Sequence, residues 1–173
     1  MMLPILDAFL QIVLRRRGPE DLPDSRFLLL AAAILYVISQ CLLVLPVYKA
    51  VLPLARVLAV DILVLCAFLW LLLRVSAHLP RYRQTLTALF GTGAILGACM
   101  LPFYYWIYAA GPGAKGTFWP QLGMLAVISW SLLVNGHIFA RALSAPLAAG
   151  LAVSVGYFFL NFLVVSQVGS APG

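Results

Sequence analysis

Residues 57–75 read VLAVDILVLCAFLWLLLRV, a stretch of nineteen residues in which only Asp61 and Arg74 carry a charge. As a helix it would rise about 28 Å at 1.5 Å per residue, which is close to the thickness of bilayer hydrocarbon. The rest of the chain is similar: of 173 residues, 64% are hydrophobic and 9% are charged. Soluble domains carry about 25% charged residues. This composition excludes a soluble enzyme domain, a disordered tail and a disulfide-stapled secreted module.

Four further apolar blocks of similar length surround this stretch, at residues 27–48, 86–108, 118–139 and 146–166. With 57–75 they predict an all-α membrane protein, in which five transmembrane helices form a compact bundle over residues 27–166. The connections are short, so consecutive spans should run in opposite directions, and residues 167–173 are left as a short tail. A transmembrane β-barrel is excluded because its strands alternate polar and apolar residues, whereas these runs are continuous.

Residues 1–26 differ in composition from the blocks that follow. Their apolar residues recur at helical spacing before the sequence Arg15-Arg16-Arg17-Gly18-Pro19; they are Leu6, Phe9, Leu10, Val13 and Leu14. This pattern predicts an amphipathic interfacial helix on the membrane surface, followed by a polar turn. A signal peptide is the alternative, but its charges would precede the apolar stretch and an A-x-A site would follow it.

The Lys and Arg residues between the blocks fall unequally on the two sides of the predicted bundle. One side has eight of them: Arg15, Arg16, Arg17, Arg26, Arg74, Arg81, Arg83 and Arg141. The other side has three: Lys49, Arg56 and Lys115. The positive-inside rule then predicts a bacterial inner membrane protein with a cytoplasmic N-terminus and a periplasmic C-terminus. The lipid bilayer is the expected partner. Nucleic acid is not, because the basic residues do not gather on one polar face.

Asp61 is the only acidic residue within a predicted span, about one turn inside the start of the second. An ionisable group at membrane depth is a functional candidate by default. The first interpretation is an ion pair with Arg56 or Lys49 at the outer interface. The second is a proton- or cation-binding role.

The fourth span ends in a polar group formed by Asn135, His137 and Arg141. His137 and Arg141 share one helix face at a spacing of four residues, while Asn135 points to another face. Interhelical hydrogen bonding is the first interpretation. The second is a cytoplasmic-side site for a lipid phosphate. The arginines predicted to contact anionic lipid are Arg15, Arg16, Arg17, Arg81 and Arg83.

Two stripes of small residues are predicted to pack helices closely. Gly93 and Gly97 form a GxxxG motif in the third span, and Ala148, Ala152 and Gly156 recur at four-residue spacing in the fifth. Such stripes let helix backbones approach each other in lipid. Packing within the bundle is favoured over dimerisation.

Motifs for catalysis, metals or cofactors are missing from the sequence. It has no HExxH, no GxSxG and no paired carboxylates, which predicts a protein that is not an enzyme and has no cofactor or metal. Cys41, Cys66 and Cys99 lie inside apolar blocks and are predicted to be small buried hydrophobes. Haem ligation by His78 and His137 is disfavoured because His78 lies beyond a span, near Pro80.

A surface helix, a basic-acidic turn and five short-looped spans form a recognisable pattern. With Pro80-Arg81-Tyr82-Arg83-Gln84-Thr85-Leu86 leading into the Gly-rich third span, the chain resembles the Yip family of five-span membrane proteins, in particular its small bacterial relatives. The resemblance implies the same five-span fold. In eukaryotes, members of this family are associated with Rab GTPases and vesicle trafficking.

Two functions remain open from the sequence. The first is a non-enzymatic scaffold or accessory subunit of a membrane assembly, with other membrane subunits or further copies of the chain as partners. The alternative is a small transporter or lipid-handling protein that uses Asp61 or the region of Asn135, His137 and Arg141. The alternative requires a cavity that is accessible to water or lipid and lined by those residues, and a dry, filled bundle would eliminate it.

Overall fold

The computed structural model describes residues 3–45, 51–111 and 117–169, and this part of the chain forms six α-helices. They are α1 (Leu3–Val13), α2 (Arg26–Val44), α3 (Val51–Val75), α4 (Tyr82–Ala110), α5 (Phe118–Ala142) and α6 (Leu147–Gly169). Short 3-10 turns at Pro19–Asp21 and Leu79–Arg81 precede α2 and α4. Helices α2 to α6 are long and apolar enough to cross a membrane. The predicted all-α, five-span bundle is confirmed.

The helices extend beyond the predicted apolar blocks at several ends. Helix α3 begins at Val51 instead of residue 57, because Pro53 fits the first turn of a helix and the exposed Arg56 does not interrupt it. Asp61 is therefore ten residues, about 15 Å, from the start of α3 instead of one turn. The predicted end of the first span, at residues 46–48, lies outside the described residues.

The five long helices form a closed ring in the order α2, α4, α5, α6, α3 and back to α2. Helices α2, α4 and α6 begin at the same end of this ring, where α3 and α5 end. We call it the basic end, since it has Arg26, Arg74, Arg81, Arg83 and Arg141. The parallel pair α2 and α4 is also joined at the opposite end, where the Tyr105 hydroxyl donates to the Leu42 carbonyl at 2.9 Å.

Gly93 and Gly97 pack α4 against α2. A Cβ added to Gly93 would lie 2.9 Å from the Tyr36 ring, and one on Gly97 would lie 3.1 Å from Ser39 Oγ. These distances are shorter than ordinary contacts, so only glycine lets α2 approach this closely. The GxxxG motif is thus used inside the chain.

The predicted role of the stripe on α6 is wrong. Ala148, Ala152 and Gly156 are all exposed, and a Cβ on Gly156 would meet nothing within 4 Å. The packing face of α6 instead contains Gly150 and Ser154, both buried against α5. The inward face of α6 contains Tyr157 and Asn161 as well as Ser154, so the spacing of its polar residues indicates this face better than the spacing of its small residues does.

Helix α1 packs against α4 and α5 instead of lying apart from the bundle. Its buried side chains are Ala8, Phe9, Ile12 and Val13. The Trp130 indole N–H donates to the Val13 carbonyl at 3.1 Å, and Trp130 is twelve residues, about 18 Å, from the end of α5. Its opposite face exposes Leu6, Leu10 and Leu14. Helix α1 thus has an apolar outer face as well as an apolar inner one, which its sequence pattern did not reveal.

Replacing Gly91 with alanine is expected to loosen α1, because the new methyl group would overlap the Phe9 ring that lies against Gly91. Overpacking of this kind typically costs about 1–3 kcal/mol. Trypsin cleavage after Arg16 or Arg17 should therefore be roughly tenfold faster, because the rate follows the population of undocked α1 when docking is fast relative to cleavage. Gly156→Ala is the matched control because its methyl meets no neighbour. Equal cleavage rates for the two variants would contradict this placement of α1.

Candidate functional site

A cavity of about 290 Å³ lies inside the ring and is lined by all five long helices. At roughly 30 Å³ per water in the liquid, this volume corresponds to about ten waters. Its lining combines apolar side chains with a polar group: Tyr36 and Gln40 of α2, Asp61 of α3, Ser131 and Asn135 of α5, and Tyr157 and Asn161 of α6. Asp61 and Asn135 are in its wall, whereas His137 and Arg141 are not among its lining residues.

Asp61 accepts hydrogen bonds from two neutral side chains. The Tyr36 hydroxyl donates to Oδ2 at 2.6 Å, and the Asn161 amide donates to Oδ1 at 2.9 Å. Each carboxylate oxygen still has a lone pair for a further donor. Three helices thus meet at this carboxylate, since α2 supplies Tyr36 and α6 supplies Asn161.

The predicted ion pair between Asp61 and Arg56 is wrong. In the part of the chain that the structure describes, no Lys, Arg or His forms a salt bridge with Asp61. Arg56 is five residues earlier on α3, a separation that turns its side chain to another face of the helix, where it is exposed. Lys49, the other predicted partner, lies outside the described residues.

Asn161 has a buried side-chain oxygen, Oδ1, without a hydrogen-bond partner among the described residues. The amide cannot be reversed without placing this oxygen against the carboxylate of Asp61, so the bond from the amide N–H fixes its orientation. A buried acceptor without a donor is destabilising. Asn161 lines the cavity, but this oxygen has almost no accessible surface.

An aromatic cluster lies beside the cavity on the side of the basic end. The rings of Phe68 and Tyr157 are 5.2 Å apart between centroids, and the ring of Phe139 is 6.0 Å from that of Phe68. Further side chains at this level are fully buried: Leu69, Leu73 and Ile138. We call these six residues the basic-end seal, because they fill the ring between the cavity and the basic end.

The predicted polar site of Asn135, His137 and Arg141 is divided in the structure. Asn135 faces the cavity, whereas His137 Nε2 lies 3.0 Å from the Arg17 carbonyl and Arg141 pairs with Glu20 at 2.7 Å. At 100° per residue, Asn135 and His137 point to opposite sides of α5. His137 and Arg141 therefore hold the segment that follows α1 onto the bundle and do not form a lipid-phosphate site with Asn135.

Two of the arginines predicted to contact lipid have protein partners at the basic end. Arg83 pairs with Asp24 at 2.6 Å. Arg81 donates to the carbonyls of Arg141 and Ala142 at 3.2 and 3.1 Å, which satisfies carbonyl groups at the end of α5. Their role in the structure is to join α2, α4 and α5.

The remaining three arginines follow α1. The Arg15 guanidinium lies over the Trp130 ring, 5.6 Å from its centroid, as in a cation–π contact. The side chains of Arg16 and Arg17 are exposed. Of the five predicted lipid contacts, Arg16 and Arg17 are therefore the two with exposed side chains and no protein partner for their guanidinium groups among the described residues.

The His and Cys side chains of the described residues do not form a metal site. No group of three His, Cys, Asp or Glu side chains there is placed to hold a metal ion. The ring of His78 contacts the Ser76 carbonyl of its own loop. Cys41 and Cys66 are half-buried and Cys99 is exposed, so the prediction of burial is wrong for Cys99, which lies on the outer face of α4.

Sequence reasoning missed Tyr36, Gln40 and Asn161 as cavity residues. Each is a hydrogen-bonding side chain inside an otherwise apolar block, and that is the signal that could have found them. Their meeting at Asp61 depends on helix pairing, which the spacing within one helix does not encode.

Comparisons with known protein families, with curated proteins and with solved structures give no match. The resemblance to the Yip family stays a prediction.

Proposed function

We propose that the chain is a small transporter or solute-binding membrane protein, without enzymatic activity, whose ligand occupies the cavity around Asp61. The observation that carries this proposal is the Asp61 carboxylate in a cavity near the middle of the bundle, where all its partners among the described residues are neutral donors. A charge at this depth is expensive and is typically retained for function. Its retention without a cationic side chain beside it favours a ligand as the compensating group.

We also propose a bacterial inner membrane as its location, with the basic end in the cytoplasm. The support is the excess of arginine at that end, in accordance with the positive-inside rule. Reporter fusions after Met1 and after Gly173 test this orientation. Opposite locations, with the N-terminal reporter cytoplasmic, are expected, and reporters on the same side would contradict it.

The solute-binding proposal predicts that Ser131 is reachable from water. In a background with Cys41, Cys66 and Cys99 replaced by alanine, a Ser131→Cys thiol should react with a water-soluble, cationic methanethiosulfonate reagent, because Ser131 lines the cavity. Val134→Cys is the control, since Val134 is fully buried one turn away on α5. We expect at least tenfold faster labelling at position 131, measured by mass spectrometry on protein in nanodiscs.

Slow labelling at both positions would contradict the proposal, because the cavity would then be inaccessible. Fast labelling at both would show that the bundle opens as a whole, which also contradicts a defined cavity. The reagent is supplied on both faces of the nanodisc, so the result does not depend on the orientation proposed above.

A scaffold or accessory subunit is the second candidate, and the outward-facing stripe of Ala148, Ala152 and Gly156 favours it. Small exposed residues at four-residue spacing suit close packing against a helix of another chain. Native mass spectrometry in mild detergent should then show a stoichiometric complex that Ala152→Trp disrupts. Leu125→Trp, at an exposed site on α5, should leave it intact. An inert monomer would contradict this candidate.

A further inference from the structure

We infer that the ligand of the Asp61 cavity is a small organic cation, with its ammonium group at the carboxylate. This inference rests on the proposed function, because it names the chemical class of the ligand that occupies the same cavity. Three properties of the cavity support it: its carboxylate, its volume and its aromatic walls.

When Asp61 is ionised, the charge of the cavity lining is negative. Asp61 is the one acid among the described residues that line it, and Lys, Arg and His are absent from that set. An ionised carboxylate without a counter-charge is costly inside a membrane protein, and a cationic ligand compensates it. A neutral solute would leave the charge unpaired, and an anion would add repulsion.

The cavity is too large and has too few carboxylates for a bare metal ion. Its volume of about 290 Å³ is near the lower end of the range for small-molecule sites. A calcium-like ion is held by six or more oxygens at 2.3–2.6 Å, usually with several carboxylates. Here one carboxylate is present, and much of the cavity wall is apolar, including Leu89 and Leu96. An organic cation can pair its charge with the carboxylate and pack its alkyl groups against the apolar side chains of such a wall.

Aromatic rings line the cavity near the carboxylate. Tyr36 is bound to Asp61 through its hydroxyl and packs on Phe90, with 5.2 Å between ring centroids. Tyr157 also lines the cavity and is held in place by Phe68. Aromatic faces attract cations, and quaternary ammonium ligands are recognised in this way. A carboxylate together with aromatic rings is therefore suited to an alkylated ammonium group.

Polar side chains complete the cavity wall, among them Gln40 and Asn135. A hydroxyl carried by the ligand near its cationic group can form hydrogen bonds with such side chains. Choline has a quaternary ammonium and a hydroxyl, and is the probe of choice.

Three probes separate these contributions on the unaltered protein in nanodiscs, by isothermal titration calorimetry. Choline has the charge and the donor, tetramethylammonium has only the charge, and 3,3-dimethylbutan-1-ol has the shape and the donor of choline without its charge. We expect choline to bind best and the uncharged alcohol to bind at least tenfold more weakly. Choline should also slow the labelling of Ser131→Cys.

Variants then assign the contacts. Asp61→Asn should weaken choline binding at least tenfold, whereas Tyr157→Phe should bind nearly as well as the unaltered protein and Tyr157→Leu several-fold more weakly. Equal affinity for choline and the uncharged alcohol would overturn the inference, and that comparison needs no variant to fold.

The inference and the proposed function can fail separately. If Ser131→Cys is labelled rapidly but neither choline nor tetramethylammonium binds, the organic-cation inference is overturned and the solute cavity stands. Protection of the thiol by sodium chloride, without protection by either organic cation, would likewise overturn it in favour of a metal ion. If the thiol is not labelled, the proposed function itself fails.

Discussion

The Gly150→Ala protein is expected to be less stable than the unaltered protein by about 3 kcal/mol, the upper part of the range for overpacking. A Cβ at this position would lie 2.7 Å from both the backbone N and the Cβ of Ala140, and it would overlap the carbonyl oxygen of Gly136. These atoms belong to the rigid backbone of α5 or are fixed to it. The two helices would have to separate, and reversible unfolding in mixed detergent micelles, followed by circular dichroism, measures the loss.

Gly156→Ala is the matched control on the same helix. Its methyl group meets no atom within 4 Å, so the substitution should be neutral or stabilising by up to about 1 kcal/mol, the helix propensity gained over glycine. The two variants add the same methyl group to α6 and differ only in the face that carries it. A similar loss for both would contradict the packing of α6 on α5 through Gly150.

Two replacements of Asp61, by leucine and by asparagine, are expected to measure separately the destabilisation caused by its charge and the stabilisation provided by its hydrogen bonds. Asp61→Leu should destabilise the bundle by about 3 kcal/mol, because the Tyr36 hydroxyl and the Asn161 amide both lose their acceptor at about 1–3 kcal/mol each. Asp61→Asn keeps an acceptor and adds a donor. It removes a charge whose cost within a membrane is about 2.5–3.5 kcal/mol on insertion scales. The asparagine variant should therefore be at least as stable as the unaltered protein.

The same unfolding assay measures all three proteins without added ligand. When a residue serves binding and not folding, its replacement leaves the free energy of unfolding unchanged or raises it, while ligand affinity is lost. If Asp61→Asn were as destabilised as Asp61→Leu, the carboxylate would be needed for the fold itself. That outcome would count against a ligand-binding role.

The five spans were predictable because the bilayer requires about twenty apolar residues in each crossing helix, a property of local sequence alone. The helix ends were less predictable. Helix α3 extends past Arg56 because a charged side chain can remain exposed on the outside of a helix without ending it. The docking of α1 also escaped prediction, because the close approach of Phe9 to Gly91 joins residues about eighty positions apart.

The candidate site was predictable in part. The rarity of acids in the spans identified Asp61, and helical spacing already separated Asn135 from His137. The hydrogen bond from Asn161 could not be foreseen, since it joins residues one hundred positions apart and depends on α3 and α6 being neighbours. In α6, small residues occur on both the buried and the exposed faces, so their spacing did not show that Ala152 is exposed, whereas the polar Ser154 and Asn161 lie on the inward face.

The basic-end seal limits how a molecule could cross this protein. Leu69, Leu73 and Ile138 leave no accessible surface at that level, so the bundle in this conformation is not a continuous pore. A molecule in the cavity could reach the arginine-rich side only when α3 and α5 part. The rate of transport would be governed by the frequency of that opening. The flux of the transported molecule would therefore saturate with its concentration instead of rising in proportion to it.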